Sequence, residues 1–178
     1  YGLVGSEMCI ETAYSWLGNL QARALNGDGA ADALRIFAEC FCLPNTFHVN
    51  GDQTNTGKSK FTYRPFTLEG NFAFAAGVQE MLLQSHRNMI EVFPAIPSNW
   101  RDVSFTDLRG RGAFLVSATM VDGAVSQISI KSEKGGTLRL RLPDKDMIVD
   151  CVSKHSITPE CVFTTETSPG QTISLRRR

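Results

Sequence analysis

Glu69 is the side chain whose type and position first suggest chemistry. It follows Pro65–Leu68 and directly precedes Gly70 and Asn71, where a helical pattern of apolar residues begins. A carboxylate in the first turn of a helix meets the positive end of the helix dipole, which favours its ionised form. An ionised carboxylate can act as a general base on water. The alternative is a helix-terminal glutamate that contributes only a favourable charge, and the pattern leaves both interpretations open.

The segment before Glu69 is a second candidate for function. Residues 44–68 show neither helical nor strand periodicity, and irregular loops longer than about 15 residues are usually functional or disordered. Aromatic rings stack on the C–H faces of a sugar, and amides bind its hydroxyl groups, so one interpretation is a sugar site in which His48 hydrogen-bonds the substrate. The other is an Ω-loop packed by its own aromatic residues. The residues that interrupt its Gly, Asn and Thr content are Phe47, His48, Phe61, Tyr63, Arg64 and Phe66.

Motifs for phosphate and metal binding are not supported. The stretch from Gly51 to Gly57 resembles a phosphate-binding loop, but five residues separate its glycines instead of four and no strand precedes it. The spacing of His, Cys and Asp residues predicts no metal site, and we expect no cofactor. Cys151 and Cys161 are placed to pair across neighbouring strands if the protein is exported.

Three helices are predicted in the first half of the chain. They run from Ser6 to Leu25, from Asp28 to Leu43 and from just after Glu69-Gly70-Asn71 to about His86, with Ser6 and Asp28 as N-caps. The short turn between the first two predicts an antiparallel helical hairpin. The third is apolar on more than one face, which is typical of a helix packed among other helices, and Gly77 lets a neighbour approach closely. This much apolar surface has too few partners here, which suggests that further helices are missing.

The second half is predicted to form antiparallel strands. Apolar and polar residues alternate over 114–120, 125–131 and 137–142, and more weakly near 147–152, 161–165 and 172–175. Asp122 and Gly123 predict a two-residue hairpin turn. Helices followed by strands predict an α+β fold with an antiparallel β-sandwich.

Charge divides the chain at the same place and limits its partners. Residues 1–95 carry 6 Lys and Arg against 9 Asp and Glu, and residues 96–178 carry 12 against 9, so the net charge is zero. A neutral chain has no overall electrostatic field that would attract nucleic acid. No apolar run approaches the length of about 20 residues that a membrane helix needs. We therefore expect neither nucleic acid nor membrane as a partner. The chain begins at Tyr1 without a signal peptide, and we expect it to be a piece of a longer protein.

Several stretches together resemble the end of the catalytic domain in family 95 glycoside hydrolases, the inverting α-L-fucosidases and their relatives. The similarity covers residues from about 14 to 131. The stretches that carry it are FTLEGNF at 66–72, AGVQEMLLQSH at 76–86, IEVFPAIP at 90–97 and LRGRGAF at 108–114, together with the first predicted helix around Trp16 and Asn19.

This resemblance implies a domain order. Residues 1–95 would be the last helices of an (α/α)6-barrel catalytic domain, comprising the helical hairpin, the long loop and the third helix. Residues 96–178 would be a closing antiparallel β-domain. The resemblance also implies that the partners are a carbohydrate substrate and the missing upstream part of the same polypeptide, and that the protein is periplasmic or secreted.

The resemblance further implies a role for Glu69. In the family an Asp before Gly-Asn is the general base, and Glu69 stands at that position, one methylene longer. His48, Arg64 and Asn71 are the expected substrate-binding neighbours. The general acid belongs to an upstream barrel helix, so we expect the isolated chain to be inactive. The expected activity is inverting hydrolysis of a terminal α-L-fucoside or related α-L-galactoside-type linkage in oligo- or polysaccharides. The alternatives are a non-catalytic carbohydrate-binding or structural module, and a related glycoside phosphorylase.

Overall fold

The structure is a computed structural model that describes residues 10–62, 64–150 and 154–178. The chain forms two compact units. The first extends to Met81 and includes Ala95–Pro97, and the second comprises Leu82–Pro94 and Ser98–Arg178. The predicted division at residues 95 and 96, with a catalytic domain before it, stays a prediction. Ser6, Tyr63 and Cys151 lie outside the described residues, and so does the predicted N-cap at Ser6. The thiol of Cys161, the predicted partner of Cys151, is free.

Three helices build the first unit, and their ends differ from the predicted ones. Helix α1 spans Ile10–Arg23, α2 spans Gly27–Phe41 and α3 spans Glu69–Leu82. The N-cap of α2 is Asn26 and not Asp28, because the Asn26 side chain accepts a hydrogen bond from the backbone N–H of Gly29. Helix α2 ends before Leu43, because residue 42 turns extended and forms a bridge to residue 48.

Close approach at glycines holds the helices together. A Cβ atom at Gly77 of α3 would lie 3.0 Å from a methyl carbon of Leu34, so the glycine lets α2 pack directly on α3. Leu34 and Met81 are buried with Ala22, Ala30 and Ala95 in one apolar cluster. The predicted role of Gly77 is confirmed.

Helix α3 ends four residues earlier than predicted. The chain after Leu82 leaves the helix to form a short strand, β1 (Leu83–Gln84), which pairs antiparallel with β2 (Glu91–Val92). The backbone N–H of Phe93 donates to the carbonyl of Leu82 at 2.7 Å, which fixes the end of the helix. Pairing with a strand outside the helix therefore decides this boundary, and helical periodicity does not detect this pairing.

Besides the β1-β2 pair, the described residues of the second unit form two antiparallel sheets, and antiparallel strands were predicted here. The larger has the strand order β3-β4-β5-β10-β7 and the smaller β6-β9-β8. Their bounds are β3 Val103–Gly110, β4 Phe114–Val121, β5 Ala124–Ser132, β6 Gly136–Arg141, β7 Met147–Asp150, β8 Ser156–Ile157, β9 Val162–Thr167 and β10 Thr172–Arg177. Buried residues of both sheets, such as Ile128, Leu140 and Phe163, share one core. The unit is thus sandwich-like, and the α+β prediction is confirmed.

The turn between β4 and β5 is the predicted hairpin turn. Asp122 and Gly123 both have positive φ angles, 52° and 79°, the backbone that a type I′ turn requires. Strand β3 escaped prediction because its pairing with β4 shifts register between Phe105 and Leu108, where Asp107 has a φ of 55°. The bulge breaks the alternation of apolar and polar residues. Within the described segments, no helix combines the length and hydrophobicity needed to cross a membrane.

Candidate functional site

Glu69 is the first residue of α3, and its side chain is exposed. Within the described residues its carboxylate makes no hydrogen bond or ion pair. The free backbone N–H groups of the first helical turn favour a negative charge at this position. The position that the sequence singled out therefore presents an ionisable carboxylate to solvent.

A short antiparallel ribbon holds the loop against the start of α3. The backbone N–H of Thr67 donates to the carbonyl of His48 at 3.0 Å, the N–H of Asn50 donates to the carbonyl of Pro65 at 3.1 Å, and a bridge joins Val49 to Phe66 between them. The loop thus returns on itself two residues before Glu69. The arrangement fits a packed Ω-loop, and a sugar site at its surface stays a prediction.

His48 is fully buried and anchors this ribbon. Its Nδ1 atom lies 2.9 Å from the carbonyl oxygen of Thr67 and 2.7 Å from the Thr67 hydroxyl. A carbonyl oxygen can only accept, so Nδ1 carries the proton. The ring packs 4.9 Å from the ring of Phe37. His48 therefore stabilises the loop from its buried side, and its predicted contact with a substrate stays a prediction.

Asn71 fastens the other end of the loop to the helix. Its Oδ1 atom accepts from the backbone N–H of His48 at 2.9 Å, and its Nδ2 atom donates to the carbonyl of Thr46 at 2.8 Å. Both ends of the amide are therefore used in positioning. Arg64 is exposed and donates from Nε to Gln53 at 2.8 Å. A sugar contact by Asn71 or Arg64 stays a prediction.

Asp52 organises the Gly- and Thr-rich part of the loop, and sequence reasoning missed it. The carboxylate is almost fully buried and accepts from the backbone N–H groups of Thr54 and Lys58 at 2.8 and 3.0 Å. The hydroxyls of Thr54 and Thr56 donate to it at 2.6 and 3.2 Å. Burial alone would raise the pKa of Asp52, but these four donors together lower its pKa to about 2. An Asp two residues before Thr favours such a turn, and this was the local signal available.

Two aromatic side chains form the exposed side of the ribbon. The rings of Phe47 and Phe66 lie 6.1 Å apart, and the residues are 46% and 63% exposed. Phe66 precedes Glu69 by three residues. Exposed aromatic rings offer an apolar surface on which the C–H face of a sugar ring can stack.

Across the described segments, no three His, Cys, Asp or Glu side chains converge closely enough to hold a metal ion. Cys40, Cys42 and Cys161 have free thiols, and burial raises the pKa of Cys42 to about 11. A thiol with so high a pKa is a poor nucleophile near neutral pH.

Comparison with known proteins identifies the family to which this chain belongs. Residues 84–175 match the family described as glycoside hydrolase family 95, C-terminal domain. The chain therefore belongs to glycoside hydrolase family 95, which confirms the resemblance found in the sequence. The matched range begins after Glu69, so it covers most of the second unit and not the candidate base.

One curated relative is alpha-L-fucosidase 2 from Arabidopsis thaliana, which is 30% identical over 122 residues. The match covers 67% of this chain and 14% of the relative, so this chain spans a small part of that protein's length. A solved family 39 glycoside hydrolase from the gut symbiont Bacteroides cellulosilyticus WH2 is 14% identical, with a TM-score of 0.34. That match covers 72% of this chain and 24% of the other.

Proposed function

We propose that this chain is part of an inverting glycoside hydrolase that removes terminal α-L-fucosyl or related α-L-galactosyl-type residues from oligo- or polysaccharides. Membership of glycoside hydrolase family 95 and the similarity to a protein named alpha-L-fucosidase 2 support the reaction class and the sugar. The observation that carries the assignment to a site is the exposed carboxylate of Glu69 at the first residue of α3.

Glu69 acts as the general base in this proposal. Its carboxylate takes a proton from a water molecule while the water oxygen attacks the anomeric carbon from the face opposite the leaving group. A second carboxyl group, from the part of the protein outside this chain, protonates the departing glycosidic oxygen. Inverting enzymes keep their two carboxyl groups about 6.5–9.5 Å apart to admit that water. The extra methylene of Glu69, relative to the family's Asp, is a difference that the upstream residues must accommodate.

The three helices are proposed to be the end of an (α/α)6 barrel. Trp16 and Leu20 lie one turn apart on α1 and are 61% and 51% exposed, and Phe72 on α3 is 70% exposed. Large apolar side chains in such numbers indicate a surface covered by other parts of a protein. Further helices of the same polypeptide are the proposed cover. We also propose, from the family, a periplasmic or secreted location.

The loop supplies the substrate surface in this proposal. Phe47 and Phe66 offer a stacking face three residues before Glu69, while Arg64 lies exposed on the same loop. His48 and Asn71 hold the ribbon in place beneath them. The loop thereby fixes where a sugar ring lies relative to the carboxylate of Glu69.

The test is turnover by the full-length polypeptide on aryl α-L-fucoside and aryl α-L-galactoside, followed by NMR spectroscopy. We expect the β-anomer of the free sugar as the first product, at a rate independent of added phosphate. An α-anomer contradicts inversion, and turnover that requires phosphate identifies a phosphorylase. Binding without turnover of either glycoside identifies a non-catalytic module. The isolated 178-residue chain is expected to release no sugar.

A further inference from the structure

A cleft in the second unit is lined by residues of that unit alone. It is bordered by the turn between β1 and β2, by the turn between β3 and β4, and by β6. The cleft has a volume of about 190 Å³ and is lined by nine residues, among them Ser85, Asn88, Arg111, Phe114, Thr137 and Arg139. Typical sites for drug-sized ligands measure about 300–1,000 Å³, so this cleft suits one charged group with the sugar ring that bears it.

The charge of the cleft is positive. Its lining includes the two arginines Arg111 and Arg139 and no Asp or Glu. Both arginines are exposed, and within the described residues neither guanidinium group makes an ion pair or a hydrogen bond.

The neighbouring arginines differ from these two. Arg109, two residues before Arg111, forms an ion pair with Glu133. Arg141, two residues after Arg139, forms an ion pair with Glu91 at 2.8 Å. The arginines beside the cleft are thus neutralised within the protein, and those that line it are left available to an anion.

The rest of the lining is shaped and held in place. Phe114 and Ile90 are buried and give the cleft an apolar base. The Ser85 hydroxyl accepts from the backbone N–H of Arg111 at 3.0 Å, which fixes the turn that carries this arginine. Thr137 donates its hydroxyl to Glu166 at 2.6 Å, and Glu166 is not a lining residue. Asn88 has a left-handed φ of 58°, a backbone that few residues adopt without a local constraint.

We propose that this cleft binds the carboxylate of an acidic sugar residue within a saccharide chain. A guanidinium group presents a fork of N–H donors that matches a carboxylate. The family to which the chain belongs acts on saccharides, so the anion is expected on a sugar, and the apolar base formed by Phe114 and Ile90 contacts the ring. The cleft is therefore a second recognition site, which does not require Glu69 and selects acidic polysaccharides.

The experiment is a calorimetric titration of the full-length polypeptide at low salt with three probes. They are trigalacturonic acid, its fully methyl-esterified form as the matched neutral saccharide, and sodium sulfate as a bare anion. We expect the acid to bind and the ester to bind at least about tenfold more weakly. Added salt should weaken the binding of the acid.

Substitution tests the assignment to the cleft. Arg111→Gln with Arg139→Gln should weaken binding of the acid by about tenfold or more, whereas Arg178→Ala, at an exposed arginine outside the cleft, should leave it unchanged. Far-UV circular dichroism checks that the double variant is folded, and if it is not, the comparison of acid with ester in the unsubstituted chain decides.

Several results would overturn the proposal. Equal binding of the acid and the ester would show that the cleft does not recognise the carboxylate. Sulfate binding as tight as that of the acid would show that the cleft is a general anion site. Binding unaffected by the double substitution places the site elsewhere. Glu69→Gln should leave this titration unchanged, so failure of the cleft and failure of the proposed hydrolase are separate outcomes.

Discussion

Gly70 lies against His48 so closely that a Cβ atom at residue 70 would come within 2.5 Å of Nδ1 of the histidine ring. The same Cβ atom would lie 2.8 Å from a ring carbon of Phe37. The residue next to Glu69 is therefore the contact point between α3, the loop and α2. The glycine is required because the helix start and the buried ring occupy adjoining space, and this contact fixes the position of the candidate base.

Gly70→Ala is expected to destabilise the helical unit by about 1–3 kcal/mol, since inserting a methyl group into a packed core forces its neighbours to move. Helix propensity alone predicts the opposite sign, a gain of up to about 1 kcal/mol. Chemical denaturation of Gly70→Ala measures which effect prevails.

A double-mutant cycle with His48→Ala checks the cause. If the ring is the obstacle, Gly70→Ala costs less in the His48→Ala background than in the unsubstituted protein. Equal costs in both backgrounds would show that contact with His48 is not the reason for the glycine.

The order of elements could be predicted from the sequence, because periodicity is local. Three helices, the hairpin turn at Asp122 and Gly123 and the alternating strands follow from patterns within about 10–15 residues. The ends of the elements could not be predicted from such local patterns. Helix α3 ends at Leu82 because Leu83 and Gln84 pair with a strand several residues further on, and β3 was hidden by its bulge.

The candidate site was predicted only in part. Glu69 could be chosen because a carboxylate at a helix start is a local pattern. The burial of His48 could not be predicted, because Phe37 and Gly70, which enclose its ring, come from different helices. The role of Asp52 as an acceptor for neighbouring donors was also missed, because it depends on the folded course of the loop.

Asp52 predicts how stability depends on pH. Its folded-state pKa of about 2 lies below the ordinary value, which is about 3.9 in unfolded chains. A lowered folded-state pKa means that the stabilising contribution is complete above about pH 4 and is lost as the pH falls towards 2. The free energy of unfolding, measured at pH 5, 4, 3 and 2, should fall across this interval.

Asp52→Asn separates this carboxylate from the others. An amide in place of Oδ2 would direct its own donor at the N–H of Lys58, so we expect a loss of about 1–3 kcal/mol at pH 7. The decline between pH 4 and 2 should be shallower in this variant than in the unsubstituted protein, and Asp146→Asn, at an exposed aspartate, should not change it. Parallel pH profiles for Asp52→Asn and the unsubstituted protein would contradict the assignment.

In the ion pairs of Glu91, we expect removal of the arginines to cost more stability than removal of the carboxylate. Its side chain is 7% exposed and forms ion pairs with Arg87 at 2.5 Å and with Arg141 at 2.8 Å, and these arginine side chains are 43% and 44% exposed. Replacing both arginines by Met leaves a buried, uncompensated carboxylate, and we expect a loss of about 3–5 kcal/mol in thermal or chemical unfolding. Glu91→Gln should cost less, because the arginines it releases are already partly in water.

A triple variant, with both arginines and Glu91 replaced, is the control for this difference in stability. Adding Glu91→Gln to the double arginine variant should restore part of the lost stability, since it removes the buried charge. A further loss of stability on adding Glu91→Gln would show that burial of the charge is not what the arginines offset.

The general base is tested most directly by Glu69→Gln in the full-length polypeptide. With Glu39→Gln as a control on α2, where the side chain is exposed and pairs with Arg35, kcat and the dissociation constant of an aryl α-L-fucoside are measured for each protein. A general base contributes about 10²–10⁴-fold, so we expect Glu69→Gln to lower kcat by at least about 100-fold with the dissociation constant nearly unchanged. Glu39→Gln should turn over normally. Undiminished kcat in Glu69→Gln would contradict the assignment of Glu69 as the base.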